Sequence, residues 1–462
     1  MTKKIHFIHT NDIHSHFERW PKIRRMIQEQ KIAAKSSGID CITVDVGDFM
    51  DRNHPLTEST HGRANVRLMN QAHYDAVTIG NNEGITNSYQ QLNALYDRKN
   101  FPVILSNLLD SKSLVTPKWA ESYRIITTES GLRIGLIGLT APMELTYQTY
   151  GWTLVDIKDV LDSLLPLLRP QVDCLILLSH LGLPDDKLIA ENYPMIDIIF
   201  GSHTHHLLEN GLIWNDVMLV AAGRFGEYVG LVEVTYPDSN KQEISAVTYC
   251  VDDLPNVASD LEEVEMLQQL GIDNLTNQVI TQLPKTLYRE NTLIDCTLKA
   301  MKEAGNSSIA LINSGLFLKD LKKGPVTALD LHQCLPHPMN LISVRLMGSD
   351  LIRLMKEIEK NRAFLRNFPI IGLKFRGKVF GEMCYDGINY DHVSKQVTHE
   401  GKQIQLDKVY QLVTVDHIMF VPFFPTIEIA GNVKLIGSDF LRNVLGDYLS
   451  RVNSLKKKDD LG

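Results

Sequence analysis

Residues 5–14 read IHFIHTNDIH, a short apolar run of strand character that stops on Asn11, Asp12 and His14. Four more runs end the same way. CITVDV (41–46) leads into Gly47-Asp48, and YDAVTI (74–79) leads into Gly80-Asn81-Asn82-Glu83. CLILLS (174–179) meets His180, and IDIIF (196–200) meets Gly201-Ser202-His203-Thr204-His205-His206. In α/β sheets, ligands bind in the crevice outside the carboxyl ends of the strands. Five ends that carry metal-ligating side chains predict one polar site assembled from distant segments.

The stretches between these ends alternate helix and strand. Ile23, Met26, Ile27 and Ile32 mark an apolar face that predicts a helix over 20–34. Val66, Leu68 and Met69 do the same over 63–72, and a helix over 155–168 stops at Pro170. LRIGLIGL (132–139) reads as a buried strand, and such continuous apolar strands predict sheets covered on both faces. Residues 212–251 alternate and turn quickly, as in a small antiparallel meander closing a domain. The acidic stretch 255–282 reads as helical, and the helix 291–304 ends at Gly305. Beyond it come a strand at 310–313, the run LISVRLM and a helix over 350–358.

A chain of 462 residues exceeds one ordinary core, so two domains are expected, 1–288 and 289–462. The 44% hydrophobic and 22% charged content is that of a globular chain. A net charge of -8 argues against nucleic acid or an anionic membrane as the main partner. No apolar run is long enough to cross a bilayer. Asp12 and His14 would lie inside any cleaved leader, and the six cysteines are scattered without a CxxC pair. The expectation is a cytoplasmic protein.

The candidate ligands are Asp12, His14, Asp48, Asn81, His180, His203 and His205. A mixed nitrogen and oxygen set favours Mn, Fe, Co or Zn over Ca. Seven donors are too many for one such ion and suit two. Two ions roughly 3.5–4 Å apart fit hydrolysis of a phosphoester, whose transition state calls for charge neutralisation and positioning. Single histidines elsewhere read more plainly. His6 and His9 read as packed or edge residues of the first strand, and Arg52 equally as a phosphate contact or a solvated loop charge.

Asp12-x-His14, Gly47-Asp48, Gly80-Asn81 with Glu83, His180 and Gly201-x-His203-x-His205 resemble the ordered motif set of the calcineurin-like metallophosphoesterases. The fuller string Thr10-Asn11-Asp12-x-His14-x-His16 is similar to their 5′-nucleotidase/UDP-sugar hydrolase branch, in its cytoplasmic members. The resemblance implies a four-layer α/β/β/α catalytic domain followed by a 5′-nucleotidase-type α/β domain that binds substrate. It implies two divalent ions, one on Asp12, His14 and His205, the other on Asn81, His180 and His203, with Asp48 bridging. The substrate it implies is a nucleotide or nucleotide sugar, cleaved by attack of water.

The third motif departs from the family, which reads Gly-Asn-His-Glu-Phe-Asp there. Asn82 stands at the position of the catalytic His and Ile85 at that of its Asp. A carboxamide donates a hydrogen bond but cannot shuttle a proton near neutral pH. The alternative expectation is therefore a nucleotide-binding or sensing protein with little turnover. The second domain departs further. Asn313-Ser314-Gly315-Leu316-Phe317 resembles the family's Asn-Gly-Gly-Ile-Arg turn with Phe317 in place of Arg, and Lys319 stands nearby. Candidate substrate contacts are thus Asn313, Phe317 and Lys319, with Phe380, Phe420 and Phe423 as candidate base-stacking rings.

Overall fold

The strand at the head of the chain, Lys3–Thr10, is flanked on both sides. It pairs in parallel with Asp40–Asp45, with Thr10 opposite Asp45, and antiparallel with Tyr228–Tyr236, with His9 opposite Gly230. The structure is a computed structural model that describes residues 2–237, 242–372 and 376–459, with side chains to 454. It divides into two compact units, Met1–Gly271 and Ile272–Gly462. The division falls inside the helix Ala258–Thr276, ahead of the expected 288. The stretch read as helical to 282 instead breaks into the strand Val279–Leu283, which pairs with Gly324–Thr327 of the second unit.

Two large sheets form the core of the first unit. The five-stranded one runs in the order Glu243–Cys250, Tyr228–Tyr236, Lys3–Thr10, Asp40–Asp45, Ala76–Val77. The six-stranded one runs Leu212–Trp214, Val217–Val220, Ile198–Gly201, Cys174–His180, Arg133–Thr140, Tyr123–Thr127. Alternation of side chains along each strand explains the layering. Ile134 and Leu136, Ile176 and Leu178, Ile198 and Phe200 meet Phe7, Val44 and Val232 of the other sheet. Phe7 and Phe200 touch edge to face across that seam, centroids 6.1 Å apart. The intervening residues Ile137, Leu139, Leu175, Leu177 and Ile199 face outward onto the helices Ile157–Leu168 and Leu183–Asn192. The helices Trp20–Ser36 and Arg63–Ala72 accompany the first sheet, completing four layers. The strands are apolar throughout because both of their faces are covered.

Two expectations are corrected here. Ile32 is 67% exposed, because five residues beyond Ile27 a 3.6-residue repeat has turned it off the buried stripe. Residues 212–251 do not form one meander. Val217–Val220 pairs in parallel with Ile198–Gly201 in the second sheet, whereas Tyr228–Tyr236 joins the first. Alternation reports a strand's faces but not which sheet receives it, so the crossing between them was not visible in the pattern.

The second unit is a five-stranded mixed sheet in the order Met383–Asp386, Ile309–Asn313, Val409–Val415, Asn340–Met347, Asn432–Phe440. The helices Thr292–Ala304 and Gly348–Leu365 pack on it through Leu293, Leu298, Leu351 and Ile358.

Candidate metal centre

Four of the five strand ends are joined by hydrogen bonds to backbone groups. Asp12 N donates to Gly47 O (3.0 Å), His14 N to Asp48 O (2.9 Å) and Ser15 N to Phe49 O (3.0 Å). Thus the first two loops zip together. Glu83 ties the third to the second: its carboxylate accepts from Asp48 N (2.9 Å), Gly80 N (2.9 Å) and Met50 N (3.0 Å). The fourth end joins where His180 Nδ1 meets Val46 O at 2.7 Å.

The backbone is bent against preference where the ligand candidates stand. Asp12, His14, Asp48, His203 and His205 all have positive φ, between 49° and 69°. Non-glycine residues adopt this region rarely, and such strain concentrates at functional sites where the surroundings hold it.

The side chains are aimed by their neighbours. Asp12 is fully buried, and its Oδ2 accepts from Asn11 Nδ2 (2.9 Å), Ser202 Oγ (2.7 Å) and His203 N (3.1 Å). Its Oδ1 faces His14 Nε2 at 3.6 Å and His205 Nε2 at 3.5 Å. Asp48 Oδ2 lies 3.4 Å from His180 Nε2 and 3.7 Å from His14 Nε2. A carbonyl can only accept, so the contact with Val46 puts a proton on His180 Nδ1 and leaves Nε2 as the donor atom for an ion. That Nε2 is buried and makes no hydrogen bond among the described residues, and neither does the buried Oδ1 of Asn81. Orphaned buried polar atoms require an explanation, and a cation is one that suits these lone pairs.

Two groups bring their donor atoms within 4.8 Å of one another: Asp12, His14 and His205, and Asp12, Asp48 and His180. The first is the expected trio. The second joins Asp12 and Asp48 with His180. His203 stands beside it, its ring centroid 5.2 Å from that of His180. The residues fit a divalent pair in donor chemistry.

Electrostatics bind the cluster. Burial alone would lower His14, but hydrogen bonds to Asp12 and Asp51 and the charge of Asp48 raise it to about 10. Burial likewise opposes His180, yet Asp48 raises it to about 9. Asp12 is held well below the carboxylate range: burial pushes it up, and His14 and His205 outweigh that. His203 is lowered, by burial and then by the charge of His180, which favours its neutral, ligating form.

Asn82 lies on Asp48: its backbone N donates to Oδ1 and its Nδ2 to Oδ2, both at 2.7 Å. Its Nδ2 is 3.4 Å from His14 Nδ1. Ile85 is 3% exposed and apolar. Arg52 is neither a phosphate contact nor a solvated charge. It is buried on Glu58 (2.6 Å) and donates to Thr86 O (2.9 Å). His9 is packed, as expected, with its ring 5.0 Å from Phe200 and burial lowering it to about 3.

The substrate candidates of the second unit are scattered in role. Phe317 and Phe380 belong to the core, so neither offers a face for stacking a base. A ring gains more from burial between sheet and helix than from exposure, and single phenylalanines default to that fate. Phe420 is 60% exposed, while Phe423 is half-buried against Phe364 and Phe368. Lys319 is exposed and donates to Gln333 (2.9 Å). Asn313 is buried, and its Nδ2 donates to Phe380 O at 2.8 Å. Asn11, Ser202 and Phe225 were not anticipated. Asn11 and Ser202 stood inside the first and fifth motifs, whereas Phe225 left no signal.

Comparison with known proteins agrees with this geometry. Residues 5–207 match the family model for calcineurin-like phosphoesterases, and residues 273–420 match that for the 5′-nucleotidase C-terminal domain. The chain is 37% identical to the metallophosphoesterase YunD of Bacillus subtilis (strain 168), over 98% of this chain and 100% of that one. It is 24% identical to the 5′-nucleotidase of Bos taurus, over 67% of this chain and 60% of that one. Among solved structures, the NAD nucleotidase of Haemophilus influenzae shares the fold, with a TM-score of 0.66, 16% identity and coverage of 99% and 97%. Calcineurin-like phosphoesterases use a dinuclear divalent metal centre. With the converging donors, the two matched domains and the full-length relative together, the chain belongs to the calcineurin-like metallophosphoesterases that carry a 5′-nucleotidase C-terminal domain, hydrolases of phosphoric esters.

Proposed function

We propose that the protein hydrolyses nucleotide phosphoesters and that its better substrates carry a diphosphate linkage, as a nucleotide sugar does. Asp12, His14 and His205 would hold one ion, Asn81, His180 and His203 the other, with Asp48 between. When bound, the ions supply Lewis acidity, lowering the pKa of water and neutralising phosphoryl charge. The bovine 5′-nucleotidase among the relatives supports the nucleotide class. The cytoplasmic setting is part of the same proposal, and cell fractionation tests it.

One observation carries the diphosphate preference: Asn82 is bound to Asp48 through both of its nitrogens. From there its amide can donate to a phosphoryl oxygen, but it has no proton to give a departing alkoxide. Ile85 adds no carboxylate to assist. General acid–base help is typically worth about 10²–10⁴-fold. A phosphate leaving group depends on that help far less than the alkoxide of a monoester does. Phosphate release with added Mn²⁺ should therefore be faster from a nucleotide sugar than from a nucleoside monophosphate. Asp48→Ala should lower both rates by at least about a hundredfold. A clear preference for the monophosphate would sink the proposal. Asn82 also favours a second reading, a nucleotide sensor; absence of metal-dependent turnover on any substrate would support it.

A further inference from the structure

Between Val217–Val220 and Tyr228–Tyr236 the chain crosses from one sheet to the other, and the crossing loop is fastened to the ligand loops. Asn11 clasps its start: Oδ1 accepts from Ala222 N (2.9 Å) and Nδ2 donates to Gly223 O (2.8 Å). Phe225 N donates to Asp12 O at 2.7 Å, and Gly223 N to His206 O at 3.0 Å. Phe225 is held at a φ of 59°, between Gly223 at 70° and Gly226 at 64°. A phenylalanine in that region is strained, so the anchors around it maintain the shape. Its ring consequently lies against three imidazoles, with centroids 4.0 Å from His16, 5.7 Å from His14 and 6.2 Å from His205.

Arg224 rides on that ring, its guanidinium carbon 4.7 Å from the Phe225 centroid, and its side chain is exposed. The two arginines on the ligand-bearing loops themselves are occupied. Arg19 binds Asp252 with two hydrogen bonds (2.9 and 3.0 Å), and Arg52 is buried on Glu58. Glu18, the acid on the first ligand loop, is engaged by His16 at 2.7 Å and lies 3.6 Å from Arg19. Among the described residues, Arg224 makes no ion pair.

We propose that Arg224 anchors the second phosphate of a diphosphate-linked substrate, one ring removed from the ligand imidazoles. The inference rests on the reading of the site given above. A phosphoryl group held for attack carries its neighbouring phosphate toward the rim, and that group brings a further negative charge. A guanidinium resting on an aromatic face keeps its N–H fork available for two parallel bonds to phosphate oxygens. A monoester has no such group, so Arg224 would set preference between substrate classes.

The test is calorimetric titration of the Mn²⁺-loaded full chain with methylenediphosphonate, which cannot be hydrolysed, and with orthophosphate. Arg224→Gln should weaken methylenediphosphonate about tenfold, the usual loss for a hydrogen bond to a charged group, and orthophosphate markedly less. Arg224→Lys should recover part of the loss, and Arg224→Glu should deepen it. Metal content measured on each variant should stay at the wild-type value, as expected for an exposed side chain. Equal weakening of both probes, no weakening of the diphosphonate, or a loss of metal would overturn the assignment. These measurements need no turnover. A wild-type protein that fails to cleave diphosphate-linked nucleotides refutes the substrate reading, whereas the ratio of affinities in the variants judges Arg224.

Discussion

Gly80 shows how little space the third strand end leaves. A Cβ there would stand 2.1 Å from Asp48 Oδ1 and 2.5 Å from His180 Cε1. Gly80→Ala should therefore leave a folded protein by circular dichroism whose bound metal falls below about half of the wild-type content, because both side chains must move. Wild-type metal content in that variant would contradict the geometry. Asn82 makes the complementary prediction. Installing the acid–base pair with Asn82→His and Ile85→Asp together should raise monoester turnover by about a hundredfold, the lower end of the range for general acid catalysis. An unchanged kcat would show that Asn82 is not what limits monoesters. At this scale the ligand candidates were legible, since each stands directly after an apolar run. Arg52 was not, because its fate depends on Glu58 and Thr86, and only the fold supplies the latter.

Among elements, the short helix Asn81–Ile85 is positioned from outside itself. Glu83 takes three backbone N–H groups from two loops, and Arg52 reaches across to the carbonyl of Thr86 just past the helix. Arg52 and Glu58 are a buried pair, and removing one partner of such a pair costs about 3–5 kcal/mol. Arg52→Ala should accordingly lower Tm by several degrees in a thermal melt and weaken metal retention with it; a Tm shift under about one degree would contradict this. The long periodic elements were readable in advance: the helix Arg63–Ala72 has the expected limits, and Thr292–Ala304 begins one residue late. Pairing was less readable. Nothing in the alternation of 212–251 revealed that half of it belongs to each sheet, yet that division makes the loop that carries Phe225 and Arg224.

For the molecule as a whole, the centre couples protons, metal and stability. In the metal-free chain His14 is raised to about 10 and His180 to about 9, above their ordinary 6.5. Folding thus favours both imidazoliums. That stabilisation is fully present below pH about 6.5 and is lost as pH climbs through 9 to 10. A divalent ion competes for the same lone pairs, so its affinity moves the opposite way. The Tm of chelator-treated protein should fall between about pH 7 and 9.5, while Mn²⁺ affinity by calorimetry rises from about pH 6 to 8 with release of protons. Metal affinity that is flat across that range would remove the linkage. The amino-acid sequence by itself determined the layered α/β architecture and the donor set, because strand burial and the residues that follow each strand are local patterns. It also displayed the loss of the acid–base pair at Asn82 and Ile85. Only the tertiary structure decided which donors meet, that Phe317 and Phe380 are core rings, and that Arg224 rests on the Phe225 ring beside the ligand imidazoles. Those outcomes depend on contacts between segments as far apart as Asn11 and Gly223, and no local pattern of residues encodes such a distance.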